Sequence, residues 1–275
     1  MSLASAVIGD LTLTNTSGCA LLFDMRRKRL LVTRGAVEAS EWVAPPGSTV
    51  KPLSLWALLR SGRLKPEESF GCPGRLLLAG INMSCSHPPL PFPVNATLAI
   101  TYSCNCAAAH FAQRFRGDEL ASFFAEFGLG SATHLLPHAE NSGHIQQGIT
   151  GQQLQLQALG ERGIRVTPLG LADTYRRLAA LSYEPRFVPI LEGLEGAVEV
   201  GTGQAARVPG TTVAGKTGSI RMDSGLHAAW FAGFAPSRRP EVVVTVLTQG
   251  TSGASAAAPI AGDLLREYFS NSVRL

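Results

Sequence analysis

Charge is scarce in this sequence of 275 residues: only 16% of it is Asp, Glu, Lys or Arg, against 45% hydrophobic residues. That balance excludes wholesale disorder, since there is enough apolar surface to build a core, and the length suits one globular domain. Long apolar runs are also missing. The longest clean one, Val242–Leu247, contains a threonine and falls far short of the ~18 residues a bilayer crossing needs. Met1–Gly9 is mildly apolar but lacks the basic opening and apolar core of a secretory signal, so neither a signal peptide nor an anchor is expected in this sequence. The net charge of +4 is small and dispersed, which argues against a nucleic-acid partner.

Cysteine is sparse too: five residues do not make a disulfide scaffold in a chain of this size. Cys72 and Cys85 lie in a loop-like stretch and can pair if the protein is exported. Cys104 and Cys106, one residue apart, have poor geometry for a mutual bridge and read as small buried hydrophobes. His134 and His138 have helical spacing, but Pro137 between them argues against a helix, so no metal is expected and no other cofactor either. Lysine is the rarest of the charged types. Four lysines (Lys28, Lys51, Lys65, Lys216) stand against twenty arginines. Arginine cannot usefully lose its proton, whereas a desolvated lysine can, so each of the four is a candidate for chemistry.

What is present organises the chain into three stretches. Cys19–Asp24 and Leu30–Arg34 are apolar runs around the polar turn Met25–Arg29, a hairpin pattern. Pro45-Pro46-Gly47 then breaks the chain before Ser48, and Pro52–Leu59 has the look of a helix's opening turns. Residues 64–95 are proline-rich and read as an irregular loop. Ala96–Phe115, Glu119–Phe127 and Leu169–Leu181 carry helical periodicity, the last with Pro168 near its first position. Gly128–Gly163 reads as a surface segment. Thr211–Ile220, His227–Ala235 and Glu241–Thr248 are strand-like, separated by turn signals at Asp223-Ser224-Gly225 and Pro236–Pro240, and such short connections favour antiparallel neighbours. Ala256–Phe269 closes as a helix. The pattern predicts an α+β fold, an antiparallel sheet flanked by helices with an inserted all-helical lobe. A single domain spans 1–275, with a sheet lobe over 1–63 and 190–275 and a helical lobe over about 64–189. The crevice between lobes is the expected substrate site.

Three short stretches carry chemistry, in this order: Ser48-Thr49-Val50-Lys51, Ser103-Cys104-Asn105 and Lys216-Thr217-Gly218. Residues i and i+3 share a face of a helix's first turn, so an amine at 51 can reach a hydroxyl at 48. A serine attacks poorly until something takes its proton, and a lysine kept dry near a second cation has its pKa pushed down far enough to do so. Each stretch alone is weak: a Ser-x-x-Lys arises by chance about once in a chain this long, and Ser48 and Lys51 could be a helix cap and a solvated lysine. All three in sequence are hard to obtain by accident.

The set resembles that of the transpeptidase domain of penicillin-binding proteins, within the serine penicillin-recognising enzymes and β-lactamases. The likeness extends to Pro46-Gly47-Ser48-Thr49-Val50-Lys51-Pro52, Val166-Thr167-Pro168-Leu169, Gly201-Thr202-Gly203, Ala214–Ser219 and Trp230–Pro236, so it runs from about residue 19 to 269. It implies Ser48 as acylated nucleophile, Lys51 as its proton acceptor and Ser103 as relay to the leaving amine. It further implies Asn105 on the substrate amide, Lys216 as a second cation depressing the pKa of Lys51, and Thr217, Gly218 and Ser219 around the substrate carboxylate. The backbone N–H groups of Ser48 and Ser219 become the oxyanion hole. Trp230 and Phe231 read as core rather than substrate platform, and His227 and Arg221 receive no role.

The implied activity is a D,D-transpeptidase acting on peptidoglycan stem peptides ending in D-Ala-D-Ala and acylated by β-lactams. Its partners would be that peptide, β-lactam antibiotics and cell-wall synthesis proteins. The implied location is periplasmic or extracytoplasmic, with a membrane anchor in a longer native chain. Two alternatives stay open, a β-lactam sensor domain and a serine β-lactamase. The Glu-x-x-Leu-Asn pattern of one lactamase class is absent, Glu140-Asn141 lacking the spacing, and Asn105 favours a penicillin-binding protein.

Overall fold

Along Cys19–Phe23, odd-numbered side chains enter one apolar cluster and Ala20 and Leu22 enter another, so this strand is buried on both faces. The computed structural model describes residues 18–137, 139–222 and 225–272. Strands β1 (Gly18–Asp24), β2 (Arg29–Arg34), β3 (Ala214–Arg221), β4 (His227–Ala235) and β5 (Val242–Gln249) form one sheet in the order β2-β1-β5-β4-β3. Every neighbouring pair is antiparallel. The first two and the last three strands of the described residues therefore share one sheet, with the long middle segment looping out between β2 and β3.

Nine helices accompany the sheet among the described residues: α1 (Ala36–Glu41), α2 (Lys51–Arg60), α3 (Ala96–Thr101), α4 (Asn105–Ala112), α5 (Glu119–Glu126), α6 (Gly151–Ala158), α7 (Pro168–Ala180), α8 (Val188–Glu199) and α9 (Ala258–Ser272). Leu264 and Leu265 of α9 cover the face of the sheet that holds Phe231 and Val244. The opposite face, with Trp230 and Phe234, joins the large core shared with α2, α3, α7 and α8. No helix of the described residues is long and apolar enough to cross a membrane.

Helix α2 matters most for function. Its first eight residues, Lys51–Leu58, are all buried, as expected of a helix that is apolar almost all round. A lysine at its first position is thereby drawn into the interior.

The structure corrects four sequence expectations. The helical stretch 96–115 is not continuous; α3 and α4 are separated at Tyr102-Ser103-Cys104. The segment 128–163 is not all surface, since α6 lies within it with Leu154–Ala158 buried. Helix α8 was not expected at all. It packs closely on α3, where a Cβ at Gly196 would stand 2.6 Å from Thr101 Oγ1, so its glycines serve close helix contact although they weaken its helical signature. Finally, the third strand run begins at Ala214 rather than Thr211. The hairpin and β4 lie where the pattern put them, and Thr167 caps α7 by accepting from the N–H of Gly170 at 3.0 Å. His134 is in a loop at φ 56°, and His138 lies outside the described residues, as do Met1–Gly9 and Asp223-Ser224.

Candidate active site

Gly47–Val50 form a tight 3-10 turn that leads straight into α2. Gly47 holds φ 55°, a left-handed conformation that L side chains rarely adopt, and lets the chain swing into the turn. Around Ser48, Gly47, Thr49 and Val50 are buried, so the half-buried Ser48 is the residue of this turn that faces out. The turn is fixed from several sides. Thr49 Oγ1 donates to Pro46 O at 2.7 Å, Tyr175 Oη donates to Thr49 O at 2.9 Å, and Trp230 Nε1 donates to Pro45 O at 3.0 Å. Trp230 and Phe231 are fully buried core residues.

Strand β3 passes this turn at contact distance. A Cβ on Gly218 would stand 2.6 Å from Pro46 O, so only glycine allows the approach. A Cβ on Gly47 would lie 3.5 Å from the backbone N of Ser219, which places that N–H beside the serine turn.

The second motif sits on the break between α3 and α4. Cys104 N donates to Ala99 O at 2.9 Å and Ser103 N donates to Ile100 O at 3.2 Å, the paired bonds of a Schellman C-cap. Glycine is the usual occupant of the left-handed position in that cap, yet here it is Ser103, at φ 55°. A non-glycine residue there costs about 1–2 kcal/mol. The hydroxyl is therefore retained against a local backbone preference. We expect Ser103→Gly to raise stability by about 1 kcal/mol in denaturant titration, since it relieves this strain. The same variant should acylate more slowly, and a loss of stability with unchanged acylation would contradict both halves.

Lys51 joins the two motifs. Its Nζ donates to Ser103 O at 2.8 Å, Ser103 Oγ at 3.3 Å and Asn105 Oδ1 at 2.5 Å. The amide Nδ2 of Asn105 donates to Met83 O at 3.0 Å, so Asn105 also ties in the loop before α3. Lys51 is fully buried, and that burial brings its pKa down to about 8, even though nearby thiols and Glu161 favour its charged form. No hydrogen bond links Lys51 Nζ to Ser48 Oγ in this state; such contacts are often long before substrate arrives.

Lys216 is also fully buried, with one bond, to Thr217 O at 3.3 Å. Burial first, and the charge of Lys51 second, push its pKa well below the usual lysine range. Two buried ammonium groups repel each other mutually, and Lys51 has three oxygen acceptors where Lys216 has one. Burial is the leading cause of the lowered pKa of Lys51 as well.

A cleft of about 440 Å³ opens over these groups. Ser48, Ser103, Asn105, Thr217 and Ser219 all line it, which brings together five of the eight candidate residues; Lys51, Lys216 and Gly218 do not line it and are buried. A family model described as the penicillin binding protein transpeptidase domain matches residues 18–266 of the chain. The chain belongs to that family. It is similar to the peptidoglycan D,D-transpeptidase PbpA of Mycobacterium tuberculosis, with 25% identity over 78% of this chain and 53% of the relative. It is also similar to the peptidoglycan D,D-transpeptidase FtsI of Buchnera aphidicola, with 25% identity over 80% of this chain and 44% of the relative. The chain thus spans about half the length of these relatives. In three dimensions it matches the apo transpeptidase domain of Burkholderia pseudomallei penicillin-binding protein 3 with a TM-score of 0.81, at 21% identity, over 94% of this chain and 88% of that one. The fold expected from the sequence is thereby shown.

Three further groups line the cleft of this penicillin-binding domain without having been singled out as site residues. Thr202 Oγ1 lies 2.5 Å from Thr217 Oγ1, so the Gly201-Thr202-Gly203 stretch supports the third motif directly. Ser252 comes from the turn after β5, and the next residue's N–H donates to Ser219 Oγ at 2.9 Å. Glu161 is the most consequential. It follows Gly160, whose carbonyl accepts from the N–H of Gly47 at 2.9 Å, so the chain segments bearing Glu161 and Ser48 are pinned side by side. Burial raises its carboxyl pKa to about 7, with the charge of Lys51 acting against the shift. A search restricted to a Glu-x-x-Leu-Asn pattern could not have found it; its only sequence signal is its place a few residues before Thr167-Pro168.

Proposed function

We propose that this chain is the catalytic domain of a peptidoglycan D,D-transpeptidase that works through an acyl-enzyme on Ser48. The observation that carries the reading is a fully buried lysine of lowered pKa one turn from a half-buried serine, bonded to both ends of the Ser103-Cys104-Asn105 motif. A single core containing residues of sheet and helices supports treating the chain as one domain.

The steps balance as an acyl transfer. Lys51 Nζ takes the proton from Ser48 Oγ while Oγ bonds to the carbonyl carbon of the penultimate D-Ala. Negative charge on the carbonyl oxygen falls between the N–H groups of Ser48 and Ser219. The C–N bond breaks, and the terminal D-Ala leaves as its amine takes a proton by way of Ser103. An acceptor amine then attacks the ester, and Ser48 recovers its proton. Arrival of the substrate carboxylate at Thr217 and Ser219 has an electrostatic consequence. A negative charge beside Lys216 favours protonation there, and the repulsion it restores pushes the proton off Lys51. Substrate thus arms its own base.

In the same reading the domain works outside the cytoplasmic membrane, on stem peptides and with other cell-wall synthesis proteins. The test is mass spectrometry of the intact chain after benzylpenicillin, followed by peptide mapping. One penicilloyl adduct on the peptide containing Ser48 is expected; an unmodified chain, or an adduct elsewhere, refutes the assignment.

A hydrolytic branch, in which water replaces the acceptor amine, is favoured by Glu161. A carboxyl that titrates near neutrality in the wall of the acylation cleft can deprotonate water for attack on the ester. Glu161→Gln is expected to slow release of the penicilloyl group by about 10²-fold, the usual size of a lost general base, while acylation changes little. Equal release rates in stopped-flow decay of the adduct would remove Glu161 from that role.

A further inference from the structure

Four of the five cysteines converge behind the second motif. Cys72 and Cys85 come from the irregular loop, Cys104 and Cys106 from the start of α4, and the fifth, Cys19, is in β1. The Sγ atoms of Cys72, Cys85 and Cys104 form a triangle with sides of 3.4, 3.7 and 3.7 Å. His87 Nε2 lies 3.9 Å from Cys72 Sγ, and the four ligand atoms all fall within 4.8 Å of one another.

We propose that Cys72, Cys85, His87 and Cys104 form a closed, structural zinc site. Zinc at ~2.3 Å from each thiolate in a tetrahedron sets its sulfur atoms ~3.8 Å apart, which is the spacing of this triangle. A disulfide places two sulfurs at ~2.05 Å and would leave the third without a partner. The groups around the triangle are those of a thiolate cluster. Gly74 N donates to Cys72 Sγ at 3.4 Å, Cys106 N to Cys85 Sγ at 3.5 Å, and Ala107 N to Cys104 Sγ at 3.4 Å. Each sulfur of the triangle therefore receives one backbone N–H, an arrangement that favours the deprotonated form.

The histidine is oriented in the same way. His87 Nδ1 lies 2.8 Å from Pro88 O, so the ring proton sits on Nδ1 and the Nε2 lone pair is left facing the sulfurs. Cys106 is the odd member. Its thiol donates to Arg75 O at 3.6 Å and lies 3.5 Å from Cys85 Sγ, a neighbour of the cluster rather than a ligand. Binding Zn²⁺ displaces three thiol protons to solvent and leaves a four-coordinate ion with no open position, so the metal is structural. Soft sulfur donors in a tetrahedral set select zinc over the hard cations.

The site's place explains its use. Cys104 stands between Ser103 and Asn105, and Ser84 and Ser86, either side of Cys85, line the cleft. Asn105 Nδ2 already donates to Met83 O across the same junction. Zinc fastens the 72–87 loop to the start of α4 and thereby fixes the wall that carries the second motif. In the sequence the ligands are spread over three separate stretches, so neither the Cys104 and Cys106 pair nor the Cys72 and Cys85 pair points to the site.

The test is elemental analysis of the untagged 275-residue chain, purified under reducing conditions from zinc-supplemented cells. One zinc per chain is expected, and it should survive in Cys106→Ala but be lost in Cys72→Ala and His87→Ala. Exchange for Co²⁺ should give sulfur-to-metal charge-transfer absorption with the intensity of three thiolates. Circular dichroism confirms that each variant is folded; His87→Ala removes a half-buried loop residue and serves as the variant that keeps its fold. A folded, metal-free chain with either five free thiols or a disulfide within the triangle overturns the proposal, as does retention of zinc by His87→Ala. Chelation should also slow benzylpenicillin acylation about tenfold, the size of a lost positioning contact around a metal. The metal site stands apart from the proposed activity: a chain that holds zinc yet is never acylated refutes the transpeptidase and leaves the zinc site standing.

Discussion

Ser48→Ala is expected to abolish covalent labelling by a fluorescent penicillin while leaving the melting temperature unchanged. The cleft contains eight serine and threonine residues, so a hydroxyl as such is not distinctive. Ser48 differs in where it stands. It occupies the opening turn of a helix whose free N–H groups point toward developing negative charge, beside the N–H of Ser219 and one turn above Lys51. Its hydroxyl makes no hydrogen bond among the described residues, so its removal leaves no partner stranded. A half-buried serine without partners contributes within about 0.5 kcal/mol to stability. The contrast between a lost adduct and an unmoved melting curve is therefore the signature of a nucleophile. Residual labelling that maps to Ser84, Ser86 or Ser103 would assign the chemistry to another hydroxyl.

The parts of the fold that were legible in the sequence are those where local preference and tertiary environment agree. The β1–β2 hairpin follows from two apolar runs around a polar turn, and Asp24 secures that turn by accepting from the N–H groups of Arg26 and Arg27 at 2.8 Å. Helix α7 follows from Thr167 and Pro168. Helix α6 was hidden because Gln155 and Gln157 are buried polar residues that break the apolar pattern. They are tolerated only because Gln155 Nε2 donates to Ala109 O at 3.0 Å and Gln157 Nε2 donates to Gln146 O at 2.8 Å. No pattern of hydrophobicity reveals partners that distant. The break at Ser103 was hidden for the opposite reason: Ala96–Phe115 reads as continuous helix, and nothing in a serine announces a left-handed backbone.

The site divides along the same line. Ser48, Ser103, Asn105 and Lys216 belong to short linear motifs, in which chemistry and spacing are written together. Glu161, Thr202 and Ser252 reach the cleft only through folding. Glu161 arrives because Gly160 is hydrogen-bonded to the serine turn, a contact between residues 113 apart in sequence. The zinc ligands are the extreme case, since Cys72 and Cys104 come from segments that share no regular element. The two lysines show a further limit. Sequence proximity to motifs marks both as functional, but the number of oxygens each can reach, three for Lys51 and one for Lys216, appears only in the fold.

Lys51→Arg should lower penicillin acylation by about 10²–10⁴-fold, because arginine keeps the positive charge and cannot accept a proton at any accessible pH. The pH profile separates this from a packing defect. With the pKa of Lys51 near 8, the unprotonated base becomes scarcer as pH falls, so acylation should drop about tenfold per unit below pH 8 and level off above it. The limb belongs to the free chain, and therefore appears in the second-order rate constant at low penicillin concentration. In Lys51→Arg the residual rate should lose this limb, since no lysine at 51 remains to titrate. If the substitution only disturbed packing while another group served as the base, the limb would persist at reduced amplitude. Glu161→Gln supplies the internal control. Glu161 favours the charged form of Lys51, so removing its carboxylate should move the limb to lower pH while the plateau stays in place. A limb that moved upward in that variant would mean that the titrating group is not a base beside a carboxylate, and the role assigned to Lys51 would fail.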